Sequence, residues 1–298
     1  MPRTASALAA IVEGYTGNDA GTGIAHVNAA YDRILYGIDP RSGIRHRWSF
    51  LKPMSSFRIW KTVTGTCVAA STIDTVIVVT EAIFYASMIG HNAVFTATGN
   101  SYPITAVTST TQVSVTGDPS AEANEDVVTV TADGIYDLGD DFGGMIDAPV
   151  YKYNANAQTP RWQQKDAEWI LGYLRDTNGV GSPYCWAVVP ETFVAAAGHK
   201  WKFICAPLSG YDRDVWYRYQ VRPAALTDGA VYPVGGVQMD ELLRVGSLSD
   251  AEGMVSKKSN FWGPRFDEAM AGAIDSDMDF DTQGVPSTGT VDAGMGVP

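Results

Sequence analysis

Residues 75–79 (TVIVV), 93–96 (AVFT), 102–107 (YPITAV), 112–115 (QVSV) and 126–131 (DVVTVT) form a series of short runs rich in β-branched residues at alternate positions. Strands of this kind bury one face and leave Thr and Ser on the other. Turn residues punctuate them at Gly99-Asn100, Ser109-Thr110 and Gly117-Asp118-Pro119. The runs lie within Thr62 to Tyr151, a stretch with no Lys or Arg. Residues 62–133 therefore predict a small antiparallel β sandwich or barrel.

On either side the pattern changes. Residues 4–14 (TASALAAIVEG) are good helix formers, and Gly14, Gly17, Gly21 and Gly23 then interrupt them. Val27, Ala30, Tyr31 and Ile34 recur at helical spacing up to a stop at Gly37, Asp39 and Pro40. Trp162 to Leu174 predicts a helix, and 185–189, 201–206 and 215–221 predict strands. Residues 237–258 and 262–274 predict two more helices. From Asp275 onward apolar periodicity is lost to Gly, Pro, Ser, Thr and Asp, a composition that does not offset an ordering cost of ~1–2 kcal/mol per residue without a partner. The expected fold class is α+β: a helical body of antiparallel helices with some strands (1–61 with 134–275), the inserted β module (62–133), and an extended C-terminal arm (276–298).

The chain has 298 residues, 45% of them apolar, with a net charge of −12. That charge is distributed in blocks: +4 over 1–61, −11 over 62–151, +3 over 152–222 and −8 over 223–298. A surface this acidic repels phosphate backbones, which argues against a nucleic-acid grip but suits a channel through which DNA slides. Opposite-sign blocks can also pair between neighbouring copies, and repetition of such a heterologous contact closes a ring. The three cysteines, Cys67, Cys185 and Cys205, lack disulfide or zinc spacing and fit a reducing compartment. No leader or membrane-spanning run is expected.

Motifs for chemistry are sparse. The glycine-rich 14–23 segment lacks the Gly-Lys-Ser/Thr ending of a phosphate loop and reads as a helix connection. Asp137, Asp140 and Asp141 could gather around a hard cation, but no calcium-loop pattern follows and turn formation explains them. The four histidines stand near no nucleophile motif. A glycan hydrolase using Asp140 and Asp141 beside the aromatic-rich second half is a further reading, but adjacent carboxylates fit poorly the ~5–9.5 Å separation such chemistry needs. No cofactor and no catalytic residue is expected. The Trp and Tyr residues of the second half suit an aromatic core and a subunit interface, with Arg213, Arg218 and Arg222 as interface anchors.

Four segments resemble the adaptor, or head-completion, proteins of tailed bacteriophages. They are residues 31–43 (YDRILYGIDPRSG) running into 46–51 (HRWSFL); the β insert with 88–90, 100–104 and 108–111; residues 136–144 (YDLGDDFGG), where Gly139 departs from an expected Pro; and 217–219 (YRY) through 224–226 to Tyr232-Pro233 and the helix after it. The resemblance implies a virion protein of the neck, made in the host cytoplasm, that forms a dodecameric ring beneath the portal. It joins capsid to tail and lines the passage of double-stranded DNA. Its partners would be copies of itself, the portal protein, a tail-side stopper, terminator or nozzle protein, and DNA held without sequence specificity; no membrane is involved. The arm would face the portal through Phe280, Val285, Val291 and Met295. A tail terminator, baseplate or fibre-attachment protein is the alternative.

Overall fold

A computed structural model describes residues 2–17, 21–71, 75–122, 125–151, 161–177, 179–194, 198–227, 229, 231–256 and 261–283. In chain order the elements are α1 (Ala5–Thr16), α2 (Gly23–Tyr36), β1 (Met54–Ile59), β2 (Val63–Ser71), β3 (Val76–Val79), β4 (Asn92–Phe95), β5 (Ser101–Ser109), β6 (Gln112–Val115), β7 (Val127–Val130), β8 (Ile135–Asp137), β9 (Phe142–Met145), β10 (Val150–Tyr151), β11 (Gln163–Gln164), α3 (Ala167–Asp176), β12 (Val180–Gly181), β13 (Cys185–Val194), β14 (Gly198–Ala206), β15 (Leu208–Ser209), β16 (Arg213–Val221), α4 (Gly236–Ser256) and α5 (Trp262–Gln283). The chain divides into two compact units, 1–53 with 221–298, and 54–220. The second unit thus extends beyond the 62–133 expected for the β module at both ends.

The first unit is where the helices collect. Thr4 caps α1 through its hydroxyl, which accepts from the Ala7 N–H at 3.3 Å, and Gly17 closes it in the left-handed region. Leu8 and Val12 of α1, Val27, Tyr31 and Ile34 of α2, Leu242 and Leu243 of α4, and Phe266, Met270 and Ile274 of α5 share one core. Two glycines permit close approach. A Cβ on Gly23 would lie 2.3 Å from the Ala9 carbonyl oxygen, and one on Gly246 would lie 2.8 Å from the Phe266 ring. Asn28 pins the segment before α4 by hydrogen bonding both the N–H and the C=O of Leu226, at 2.8 and 2.9 Å.

Among its described residues the second unit is built of strands, with α3 and short helical turns beside them. Strands β2-β3-β6-β5-β4-β7 form a closed antiparallel barrel. Ile77, Val79, Phe95, Ile104, Val113, Val115, Val128 and Val130 fill its interior, and register shifts between β5 and β6 introduce the bulges that help a sheet curl. Near Tyr102, the Glu122 carboxylate accepts from the Tyr102 hydroxyl (2.6 Å), the Asn100 amide (2.7 Å) and the Thr98 hydroxyl (2.7 Å). Burial would raise the Glu122 pKa, but these hydrogen bonds outweigh it and hold the group below its ordinary value of 4.5. The same carboxylate pushes Tyr102 up to about 12.

The remaining strands make a sheet ordered β11-β13-β14-β8, a sheet β1-β16-β10 with β9 also on β16, and a β12-β15 pair. Helix α3 packs Ile170 against Cys185, Ala187, Ile204 and Ala206. Aromatic rings fill the other layer: Phe57 lies 4.9 Å from Phe203 and 5.6 Å from both Tyr136 and Tyr217, and Phe142 stacks on Tyr219.

Two expectations are overturned. A helical body of antiparallel helices reaching through 134–275 is wrong: among the described residues the chain is mostly β, and those of 134–220 contribute β8–β16 and one ten-residue helix. Alternating inward residues such as Val215 and Tyr217 pair across the chain, and their register with β1 depends on contacts that no local window contains. The extended arm from residue 276 is also wrong as far as Gln283, because α5 continues to there. Ile274 is buried, and the buried Asp277 fills a core-side position with a carboxylate in place of an apolar group.

Two outcomes follow. Gly246→Ala should destabilise the protein by ~1–3 kcal/mol in denaturant unfolding despite alanine's better helix propensity, because the added methyl meets Phe266 and Ala30. The depressed Glu122 pKa contributes stability that is present above pH 4.5 and is lost as pH falls through the folded-state value. Glu122→Gln should therefore be less stable than wild type at pH 7, with the gap narrowing in thermal melts at progressively lower pH.

Candidate interaction surface

Helix α2 stops at Gly37, whose φ of 68° is left-handed and whose N–H bonds back to the Arg33 carbonyl. A Cβ there would lie 2.6 Å from the His46 carbonyl oxygen, so this glycine lets the chain fold back closely on itself. It returns as a narrow finger. Ile38 and Arg45 form an antiparallel bridge, the Asp39 N–H donates to the Ile44 carbonyl (3.0 Å), and the His46 N–H donates to the Gly37 carbonyl (2.6 Å). Asp39 organises the turn, accepting from the Arg41 N–H (3.0 Å), the Arg41 Nε (3.2 Å) and the Ser42 hydroxyl (2.8 Å). These bonds, the Arg41 N–H first, lower its pKa.

Helix α5 anchors the finger. Arg41 forms a bidentate pair with Asp275 at 2.7 and 2.9 Å. Asp277, 6% exposed, accepts from His46 Nε2 (2.7 Å), the Ser49 N–H (2.9 Å) and the Ser49 hydroxyl (2.5 Å). The Trp48 indole, buried, donates to the Ile34 carbonyl at 2.7 Å and satisfies one of the acceptors left at the end of α2. The finger thus holds three apolar side chains in solvent: Ile44 at 70% exposure, Tyr36 at 56% and Ile38 at 47%. Arg45 lies 4.8 Å over the Tyr36 ring, and Arg47 is exposed beside it.

The second unit carries a cleft of about 760 Å³. Phe57, Phe84, Ile89 and Val107 supply its apolar lining, with Asp137 and Asp214 among the polar groups. Arg58 also lines it, its guanidinium 4.6 Å over the Tyr85 ring and 4.0 Å from Asp214. The Tyr85 hydroxyl donates to Asp212 at 2.9 Å, and burial followed by that carboxylate raises its pKa.

The residues expected from sequence to form sites are dispersed. Arg213 lies 5.3 Å from both the Tyr151 and Tyr211 rings, Arg218 pairs with Asp147 at 3.5 Å, and Arg222 is exposed just beyond β16. Arg213 and Arg218 fall at opposite parities of the strand, so the structure does not gather them on one face. Phe280 lies within α5, with its side chain outside the described residues; Val285, Val291 and Met295 lie wholly outside them. Asp137, Asp140 and Asp141 are engaged separately, by Lys202 (3.7 Å), Lys200 (3.6 Å) and the Tyr219 hydroxyl (2.9 Å). Among the described residues no group of three His, Cys, Asp or Glu side chains could hold a metal ion, and no helix is long and apolar enough to cross a membrane. No known family model matches the chain, and no curated protein matches it in sequence.

Sequence reasoning missed Asp39, Asp275 and Asp277. The available signal was charge: a basic run, Arg41, Arg45 and Arg47, has its counterpart in the acidic run that begins at Asp275. Asp277→Ala should cost about 2–3 kcal/mol by leaving the Ser49 and His46 donors unmatched, and should increase amide exchange at Gly43 and His46. Arg41→Ala should leave the melting temperature almost unchanged while loosening those same amides, because the pair it removes is exposed.

Proposed function

We propose that this protein is a virion structural component of the head-to-tail adaptor kind. Its subunits repeat around a dodecameric ring beneath the portal, join capsid to tail, and surround the path of double-stranded DNA. The observation that carries this reading is the finger: a turn fixed by Asp39, Arg41, His46 and Asp277 that displays Tyr36, Ile38 and Ile44 to solvent. Order invested in an apolar tip favours association, because the entropy of fixing the loop has already been met before a partner arrives. The finger lies within residues 31–51, one of the four segments that resemble neck adaptors, and its anchor is Asp275 and Asp277 of α5.

Charge supports the same reading. The barrel segment 62–133 contains seven carboxylates and no Lys or Arg, so DNA passing nearby would be repelled and not held. Portal, tail-side protein and DNA are the partners this role requires, and the neck of the virion is its location.

Copy number tests the proposal. Purified virions should contain the protein at twelve copies per portal vertex, by quantitative mass spectrometry against the portal, with density next to the portal in electron micrographs. Its absence from virions would overturn the reading, and six or three copies would assign it to the tail instead.

A further inference from the structure

We infer that the finger of one copy seats in the cleft beside β1 of a second copy, with Ile44 on the apolar lining and Arg45 and Arg47 towards Asp137 and Asp214. This inference rests on the assembly reading above and specifies the surface through which neighbouring subunits meet.

Three observations support the pairing. The first is size and lining: about 760 Å³ lined by Phe57, Phe84, Ile89 and Val107 lies in the range of cavities that take up a bulky apolar group together with its flanks. A protruding Ile44 with Ile38 and Tyr36 nearby is an insert of that character.

The second is charge. The finger carries Arg45 and Arg47, while the cleft presents Asp137 and Asp214 and takes one wall from a segment without any Lys or Arg. Arg58 lies 4.6 Å over the Tyr85 ring and 4.0 Å from Asp214, and Lys202 lies 3.7 Å from Asp137, so the finger's cations would share carboxylates that already have a cation neighbour in their own copy. Opposite charges at the rim guide encounter and fix orientation, and the apolar floor supplies the burial.

The third is symmetry. Finger and cleft are different surfaces on different units, so the contact is heterologous: each copy gives its finger to one neighbour and receives one from the other. Such a contact propagates into a ring when the rotation closes. A face-to-face pair of identical patches would stop at two subunits.

The test uses the full chain. Ile44→Cys and Ile89→Cys combined should yield disulfide-linked oligomers under mild oxidation, and neither single variant should; the native Cys67, Cys185 and Cys205 are buried. Ile44→Asp and Ile89→Asp should each weaken self-association at least tenfold by analytical ultracentrifugation. Both positions are partly exposed, so melting temperatures should stay near wild type and report intact folding. If wild type assembles and both Asp variants assemble equally well, finger and cleft are not the contact, and the adaptor reading survives. Wild type that stays monomeric at every concentration, and is missing from virions, overturns both. Cross-linking confined within one chain also overturns the inference.

Discussion

Much of the first unit depends on one buried carboxylate. Asp277 occupies the core side of α5 and gathers three donors from the segment after α2, so the path of residues 46–49 is set by hydrogen bonds that a helix far along the chain supplies. A buried acceptor left without donors is costly, which makes the arrangement close to all-or-none. With residues 46–49 held, Trp48 is placed to cap α2 and Asp39 can tighten the turn. The display of Ile44 is a product of that chain of constraints, in which a polar anchor in the core positions an apolar tip in water.

The second unit solves a different problem. Its barrel is filled mostly by aliphatic side chains, with Phe95 among them, and its segment 62–133 carries seven carboxylates and no Lys or Arg. Glu122 is tolerated because three donors converge on it. The neighbouring sheets use aromatic packing instead, with Phe57, Phe203, Tyr217 and Phe142 meeting at tilts of 53° to 57°. Burying large rings between small sheets gives short strands such as β8 and β10 a framework that their own few backbone bonds could not provide. His91 ties the barrel to this layer: burial disfavours its charge, yet the nearby Asp133 carboxylate outweighs that and raises its pKa.

Legibility in the sequence followed the range of the interactions. The strands at 76–79, 93–95, 101–109, 112–115 and 127–130 were readable because period-two burial is local. Strand β2 was not, since Gly65, Ala69 and Ala70 dilute its pattern and its partners β3 and β7 are chosen by closure. The strands between 134 and 220 were recognised in part, but the body they belong to was misread as helical because pairing such as Met54 with Arg218 spans the unit. The same limit hid the finger. Gly37, Asp39 and Pro40 read correctly as a helix stop, while the carboxylates of α5 that turn this stop into a fixed projection looked like the beginning of an unstructured tail.

The register of the outer strands describes how the chain is nested. The β unit begins at Met54 and ends near Arg218, which sit opposite each other; within it the barrel begins at Val63 and ends at Val130, which also sit opposite each other. Each layer is thus entered and left at a single doorway, like a parenthesis inside a parenthesis. Loss or exchange of the inner layer would need only a short splice between adjacent strands, and the chain on either side of it would be left unchanged.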